Sequence, residues 1–262
     1  GGLILLHLIG ARDALARRVG PSLDWMVAHA AIREEHFMTV AAVEECQVDR
    51  ALPASAAFFH ALEQPDGTFG PSVLANGIDA SALLRLKEPL ADPSAITKVL
   101  LGGQAAGGGV SDAGGPPDLW TAYCVMRALD LLGQVPARQP LAAWVLAKAL
   151  PGGGFGLNGT LSAGITYQCL EILDWVCAPL LDAARTGKIG PLTEWLRDGG
   201  DPDVRDLTGW TPLMAAAVRG QTPVVQLLLS GDVPGGKQSN PDLRLPEADA
   251  LPVFWAGQGG DT

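Results

Sequence analysis

The chain has 262 residues, enough for one large or two ordinary domains, and its 48% hydrophobic and 18% charged content excludes a globally disordered protein. A formal net charge of −10 and a pI near 4.8 leave no basic surface, so nucleic acid and anionic membranes are not expected partners. Four cysteines without metal-ligand spacing indicate a reducing, cytoplasmic setting. No apolar run approaches the about 20 residues that span a bilayer, so no membrane span is expected.

The first part of the chain carries helical patterns. Residues 1–20 are treated as an N-terminal segment, and 21–47 contain two helical patterns, the first of them capped by Ser22. Three histidines lack metal-ligand neighbours and are predicted to lie on solvated helix faces: His29, His36 and His60.

Three glycine-rich junctions recur along the chain. They align at Gly67, Gly108 and Gly153, with steps of 41 and 45 residues, and an apolar residue follows each glycine by two positions. Helices are predicted before each junction, at 54–62, 95–101 and 141–150, and after it, at 79–86, 119–132 and 165–175. Strand patterns are nearly absent. Because one helix hairpin cannot bury both of its faces, the sequence predicts an all-α protein of stacked hairpins.

The junctions carry a family resemblance. The letters GVSD at 109–112 and GGFG at 153–156 precede helix starts that read WTAY at 120–123 and TY at 166–167. This combination resembles the repeats of the terpenoid-cyclase and protein-prenyltransferase superfamily, which implies an α/α toroid over 21–177. Three helix pairs and a degenerate fourth are too few to close such a ring. The toroid is therefore expected to be partial: open, completed by another chain, or missing its beginning.

The chemistry of that superfamily needs residues that this chain does not carry. Protein prenyltransferases hold zinc with an Asp-x-Cys pair and a histidine at the helix start, where Trp120 stands here. Neither the D-x-D-D motif of squalene-type cyclases nor the magnesium-binding D-D-x-x-D motif occurs. No catalytic residue, metal site or cofactor is predicted.

The resemblance also implies an apolar ligand cavity, because aromatic residues line such cavities in the family. The candidates for an isoprenoid or lipid site are Trp120, Tyr123, Tyr167, Phe155 and Asp112. Aromatic residues at helical spacing also form ordinary cores, and Asp118 is well placed as a helix cap. Both interpretations stay open from the sequence.

A second repeat begins near 178. Ala183 and Gly187 recur as Ala216 and Gly220, a period of 33 residues, and the letters GWTPL stand at 209–213. The proline suits a first helical turn, and the threonine before it suits a cap. The segment 178–262 resembles ankyrin repeats, about two and a half of them, with an insertion in the third. The sequence is expected to stop inside that third unit.

The ankyrin resemblance implies an interaction surface. By family position, Arg205, Leu207 and Thr208 form the turn tip, and Met214 and Val218 face the groove. An alternative is that these repeats only cap the last hairpin of the toroid.

Together these patterns predict a non-catalytic protein–protein interaction or scaffold subunit, with partners on the ankyrin repeats and on the open edge of the toroid. One alternative is an isoprenoid- or terpenoid-binding transferase or cyclase whose catalytic residues lie outside this segment. Another is a small-lipid-binding protein.

Overall fold

The computed structural model of the protein describes residues 12–206 and 208–243, with their side chains from residue 18 onward. These residues form eleven helices and one two-stranded hairpin, so the prediction of a mainly helical protein is confirmed. The helices are α1 (Arg12–His29), α2 (Arg33–Glu45), α3 (Pro53–His60), α4 (Val73–Arg85), α5 (Pro93–Gly102), α6 (Leu119–Leu131), α7 (Arg138–Leu146), α8 (Ala163–Thr186), α9 (Ile189–Arg197), α10 (Pro212–Val218) and α11 (Thr222–Ser230). The strands, β1 (Gly156–Leu157) and β2 (Thr160–Leu161), pair antiparallel.

Alternate helices form two rows. Helices α2, α4, α6, α8 and α10 pack side by side in chain order, and we call them the first row. The intervening helices α3, α5, α7, α9 and α11, the second row, pack against first-row helices, while α1 packs on α2. Stacked helix hairpins are therefore present, and the first row passes from one predicted repeat type into the other.

The glycine junctions share one pattern of backbone hydrogen bonds. In each junction, the residue three positions before the glycine makes two backbone hydrogen bonds. Its N–H donates to the carbonyl of the residue after the glycine, and its carbonyl accepts the N–H of the glycine. All three glycines have positive φ, at +78°, +89° and +91°. The predicted steps of 41 and 45 residues are therefore structural repeats. The apolar residue two positions later is buried each time: Phe69, Val110 and Phe155.

Each junction ends at a polar cap on the first-row helix that follows. The side chains of Ser72, Asp118 and Ser162 accept hydrogen bonds from N–H groups in the first turns of α4, α6 and α8. The interpretation of Asp118 as a helix cap is confirmed, with a distance of 2.9 Å from the Thr121 N–H to its carboxylate. Caps of this kind each contribute about 1 kcal/mol to stability.

Two predictions near the start of the chain are wrong. Ser22 does not cap a helix, because it lies inside α1, which continues through Pro21. Burial of Leu23 in the core stabilises the helix there despite the missing N–H of proline. His36 is buried, with Nδ1 at 3.0 Å from the Ser55 hydroxyl and its ring stacked on Phe58, and burial lowers its pKa.

Helix α8 extends well beyond its predicted end. The pattern predicted a helix over 165–175, whereas α8 has 24 residues and ends only at Gly187, which has a φ of +77°. The proposed boundary between 177 and 178 therefore falls inside a continuous helix. From Cys169 onward one face of α8 is buried, through Cys169, Ile172, Val176, Leu180 and Ala184.

The last described hairpin begins as the sequence predicts. Thr211 caps α10 by accepting the Met214 N–H, and Pro212 occupies the first helical position. Gly199, in the turn after α9, has the expected positive φ of +81°. No helix in the described part of the chain is long and apolar enough to cross a membrane.

Candidate protein-interaction surface

Three of the five predicted cavity residues meet in an aromatic cluster on the first row. Trp120 stacks on Tyr123 at 5.8 Å between ring centroids, and Tyr123 also contacts the rings of Tyr167 at 6.0 Å and Trp175 at 5.5 Å. Tyr123 is only 5% exposed and Trp175 8%. Most of the surface of these two rings is therefore already in contact with protein atoms.

Asp112 and Phe155 occupy different places. The Asp112 carboxylate accepts the Ser72 hydroxyl at 3.0 Å and the Leu74 N–H at 3.3 Å, so it ties one junction to the start of α4. Phe155 is buried in its own junction, where its N–H donates to the Thr166 hydroxyl at 3.0 Å. No ring contact joins Phe155 to the aromatic cluster within the described residues.

A charged network beside the aromatic cluster was not found from the sequence. Arg85 Nε and Arg127 Nη2 both donate to Glu44, and the Tyr167 hydroxyl donates to Glu45 at 3.2 Å. Burial raises the pKa of Glu44, but the two arginines outweigh it and lower that pKa overall. Glu44 lies 41 residues from Arg85 and 83 residues from Arg127, so the sequence spacing did not predict that they pair. The sequence carried a partial signal for Arg127, which lies inside the mainly apolar helix α6, because a buried charge requires a partner.

One face of α8 carries a row of acidic side chains. Residues at spacings of three and four share this half-buried to exposed face, as helical geometry requires: Tyr167, Glu171, Asp174, Ala178 and Asp182. We call Glu171, Asp174 and Asp182 the acidic stripe. None of its carboxylates makes a hydrogen bond or an ion pair with any residue that the structure describes.

Two residues of the acidic stripe, Glu171 and Asp174, are repelled by neighbouring carboxylates. Burial raises the pKa of Glu171 to about 7, with a further contribution from Glu45, while Arg127 and Arg85 oppose the shift. Burial also raises the pKa of Asp174, with additional repulsion from Asp206 and Asp130. Because Asp206 belongs to the turn before α10, this interaction places the stripe beside the predicted ankyrin tip.

The tip itself is held by Asp206. Its carboxylate accepts the N–H groups of Thr208 at 2.9 Å and Trp210 at 3.0 Å, and lies 3.4 Å from Arg185 Nη2 of α8. Arg205 donates to the Gly209 carbonyl at 2.8 Å. Thr208 is exposed at the turn, while the predicted tip residue Leu207 lies outside the described residues.

Helix α10 presents two predicted groove residues. Met214 is half-buried and Val218 is 70% exposed, whereas Ala215 and Ala216 pack into the core. Helix α10 packs directly on α8, so these side chains and the acidic stripe belong to adjacent first-row helices. We call Glu171, Asp174, Asp182, Thr208, Met214 and Val218 together the α8–α10 surface.

A separate groove of about 400 Å³ lies between the end of α2, the 46–52 link and the end of α4. Its apolar wall includes Val40, Val43 and Leu52, and its charged residues are Glu44, Asp49, Glu88, Arg50, Arg85 and Lys87. The three acidic and three basic residues balance, so the groove favours neither sign of ligand charge. Among the described residues, no group of histidine, cysteine and carboxylate side chains is arranged to hold a metal ion.

Comparison with known families bears on the second part of the chain. Residues 180–257 match the family model for ankyrin repeats (3 copies). The matched ankyrin segment begins inside α8 and includes α9, α10 and α11, so the interpretation of this part from its sequence is confirmed. Comparison with curated proteins finds no match for the chain. Ankyrin repeats indicate a protein partner, and the exposed side chains of α10 and its tip lie within the matched segment.

Proposed function

We propose that this chain is a non-catalytic interaction or scaffold subunit that holds a protein partner on its ankyrin repeats. The observation that carries the proposal is the ankyrin match over 180–257, with Val218 exposed on the first-row helix of that segment. Apolar side chains left in water on an ordered helix are suited to an interface core.

The contacts of Asp206 support the same function. Asp206 accepts the N–H groups of Thr208 and Trp210 and pairs with Arg185, so these residues are linked to α8 before any partner binds. Preorganised contacts lose less conformational entropy on binding, which favours affinity.

The finer architecture is part of the proposal. Residues 1–20 would be an N-terminal segment, 21–177 partial α/α-toroid repeats whose open edge offers a second docking place, and 178–262 the ankyrin unit. The three junctions with one hydrogen-bond pattern support a common ancestry of the upstream repeats. A reducing, cytoplasmic setting fits the four free cysteines, three of which are buried.

The isoprenoid and lipid alternatives are not proposed. An apolar ligand would have to separate the rings around Tyr123, which are packed against one another. No observation on the described residues favours that opening.

Photo-crosslinking from a defined position tests the proposed function. Benzoylphenylalanine would replace Val218 in the full chain, and a matched chain would carry it at Leu229, which is 40% exposed on the second-row helix α11 of the same repeat. We expect a discrete protein adduct from position 218 in cells of the source organism, and little or none from position 229. Absence of an adduct at 218, or the same set of adducts from both positions, would refute the proposal.

A further inference from the structure

The half-buried to exposed face of α8 lies on the first-row helix next to α10. Helix α8 is about 36 Å long, from its 24 residues at about 1.5 Å each, and its acidic stripe, from Glu171 to Asp182, covers about 17 Å of that length. Helix α10 packs against the same helix and adds Met214 and Val218. The α8–α10 surface therefore combines the exposed Val218 and the half-buried Met214 with a row of carboxylates.

The charges of this surface are unbalanced. Three arginines lie close to it, but each already has a carboxylate partner: Arg185 pairs with Asp206, and Arg85 and Arg127 both pair with Glu44. Within the described residues, none of the three carboxylates of the acidic stripe forms an ion pair, although Arg127 and Arg85 partly offset the raised pKa of Glu171. Asp130, on the neighbouring helix α6, adds to the repulsion felt by Asp174.

Partial burial makes this imbalance costly for the unbound protein. A half-buried carboxylate is less well hydrated than an exposed one, and its repulsion by neighbouring carboxylates is less screened. The raised pKa values of Glu171 and Asp174 reflect both effects. A cationic group placed over the stripe would remove the repulsion and gain attraction in a region of reduced dielectric constant.

We propose that the partner contributes a cationic segment, rich in lysine or arginine and interspersed with apolar residues, which lies along the α8–α10 surface. This inference rests on the proposed function, because it names the chemistry of the segment that the ankyrin repeats hold. The ankyrin match points to a protein ligand independently of the charges. Apolar residues of the segment contact Val218 and Met214, and its cations face Glu171, Asp174 and Asp182.

The net charge of the chain also argues against a second copy of this protein as the occupant of the α8–α10 surface. The whole chain carries a net charge of −10, so a second copy would bring like charges together on this surface. The same net charge would steer a cationic segment toward the protein and raise its association rate.

Two double variants with equal charge changes test the inference. Asp174→Asn with Asp182→Asn removes two stripe charges, while Asp198→Asn with Asp232→Asn removes two exposed charges elsewhere. Each double variant would be made in the chain that carries the crosslinker at position 218, and circular dichroism would verify that it folds. We expect the stripe variant to require about tenfold more partner for the same adduct yield, and the control variant to behave like its parent.

A competition experiment examines the sign of the partner charge directly. Peptides of about twelve residues match the length of α8 when extended, at about 3.3 Å per residue. We expect an alternating lysine–leucine peptide to suppress the adduct at 218, and a glutamate–leucine peptide of equal length to leave it unchanged. If an adduct forms but the stripe variant and both peptides have no selective effect, the cationic-segment inference is wrong and the proposed function stands. If no adduct forms at 218, the proposed function itself is wrong.

Discussion

Single glycines determine how the upstream hairpins turn. Gly108 has a φ of +89°, which L-residues with a Cβ atom rarely adopt, and an added Cβ would lie 2.0 Å from the Pro140 carbonyl oxygen. That oxygen belongs to the backbone of α7, so it cannot rotate away as a side chain would. The neighbouring Gly107 has no atom within 4 Å of an added Cβ.

Gly108→Ala should therefore destabilise the protein strongly. We expect a loss of about 3 kcal/mol in the free energy of unfolding, from left-handed backbone strain together with overpacking. Gly107→Ala should change that free energy by less than about 1 kcal/mol. Urea denaturation of both variants measures the difference, and equal midpoints would contradict the role assigned to Gly108.

A buried carboxylate in α4 couples stability to pH. Asp79 is fully buried, Arg33 Nε donates to its Oδ1 at 2.8 Å, and its Oδ2 has no hydrogen-bond partner among the described residues. Burial raises the pKa of Asp79 to about 7, although Arg33 opposes this shift. Between its ordinary pKa of 3.8 and about 7, the unfolded chain releases the Asp79 proton while the folded chain keeps it. Stability must therefore fall as pH rises through this window.

Asp79→Asn should remove that dependence. Between pH 4 and 7 the wild-type protein should lose about 3 kcal/mol more of its unfolding free energy than the variant does. Asparagine preserves the size of the side chain and an acceptor for Arg33. Urea denaturation at several pH values gives both curves, and parallel curves would show that Asp79 is already ionised in the folded protein at low pH.

At the scale of elements, α8 unites the two predicted repeat types. The sequence predicted its first half, where apolar residues recur at helical spacing, but not its continuation through Pro179 to Thr186. Proline removes one backbone hydrogen bond and normally marks a helix boundary. Here the helix continues because Leu180, Leu181 and Ala184, beyond the proline, are fully buried between neighbouring helices. This tertiary burial is not visible in a local pattern.

A cavity in α8 should therefore destabilise both repeat types together. Leu180→Ala removes a fully buried side chain, and we expect it to lower the free energy of unfolding by about 2–5 kcal/mol. The control Leu170→Ala, on the same helix but 37% exposed, should cost less than about 1 kcal/mol. Circular dichroism and tryptophan fluorescence should report one coincident transition. Two separated transitions would mean that the halves unfold independently despite the shared helix.

At the same scale, the glycine junctions could be predicted from the sequence, whereas the charged network could not. The junctions were predictable because glycine, the buried apolar residue and the polar cap are local and recur in order. The pairing of Glu44 with Arg85 and Arg127 was not, because it joins three different helices through the stacking of the first row. Asp112 illustrates the same limit, since its partner Ser72 lies 40 residues away.

At the scale of the whole molecule, the two rows of helices create one surface from distant parts of the chain. The sequence identified Thr208, Met214 and Val218 through the ankyrin period, and the family match covers these positions. It did not reveal the acidic stripe, because its recognition requires the full length of α8 and knowledge of the carboxylate partners that the nearby arginines already have. The proposed partner-binding surface therefore depends on helix continuity and packing as well as on the repeat signature.

The measurement that tests the central claim most directly is the affinity of the purified full chain for the protein recovered by crosslinking at position 218. It would compare Val218→Arg, on the α8–α10 surface, with Leu229→Arg, on the second row of the same ankyrin repeat. We predict that Val218→Arg weakens binding by at least about tenfold, as the loss of an interface residue does, and that Leu229→Arg leaves it unchanged. Equal affinity for both variants and the wild type would contradict partner binding on the exposed face of α10.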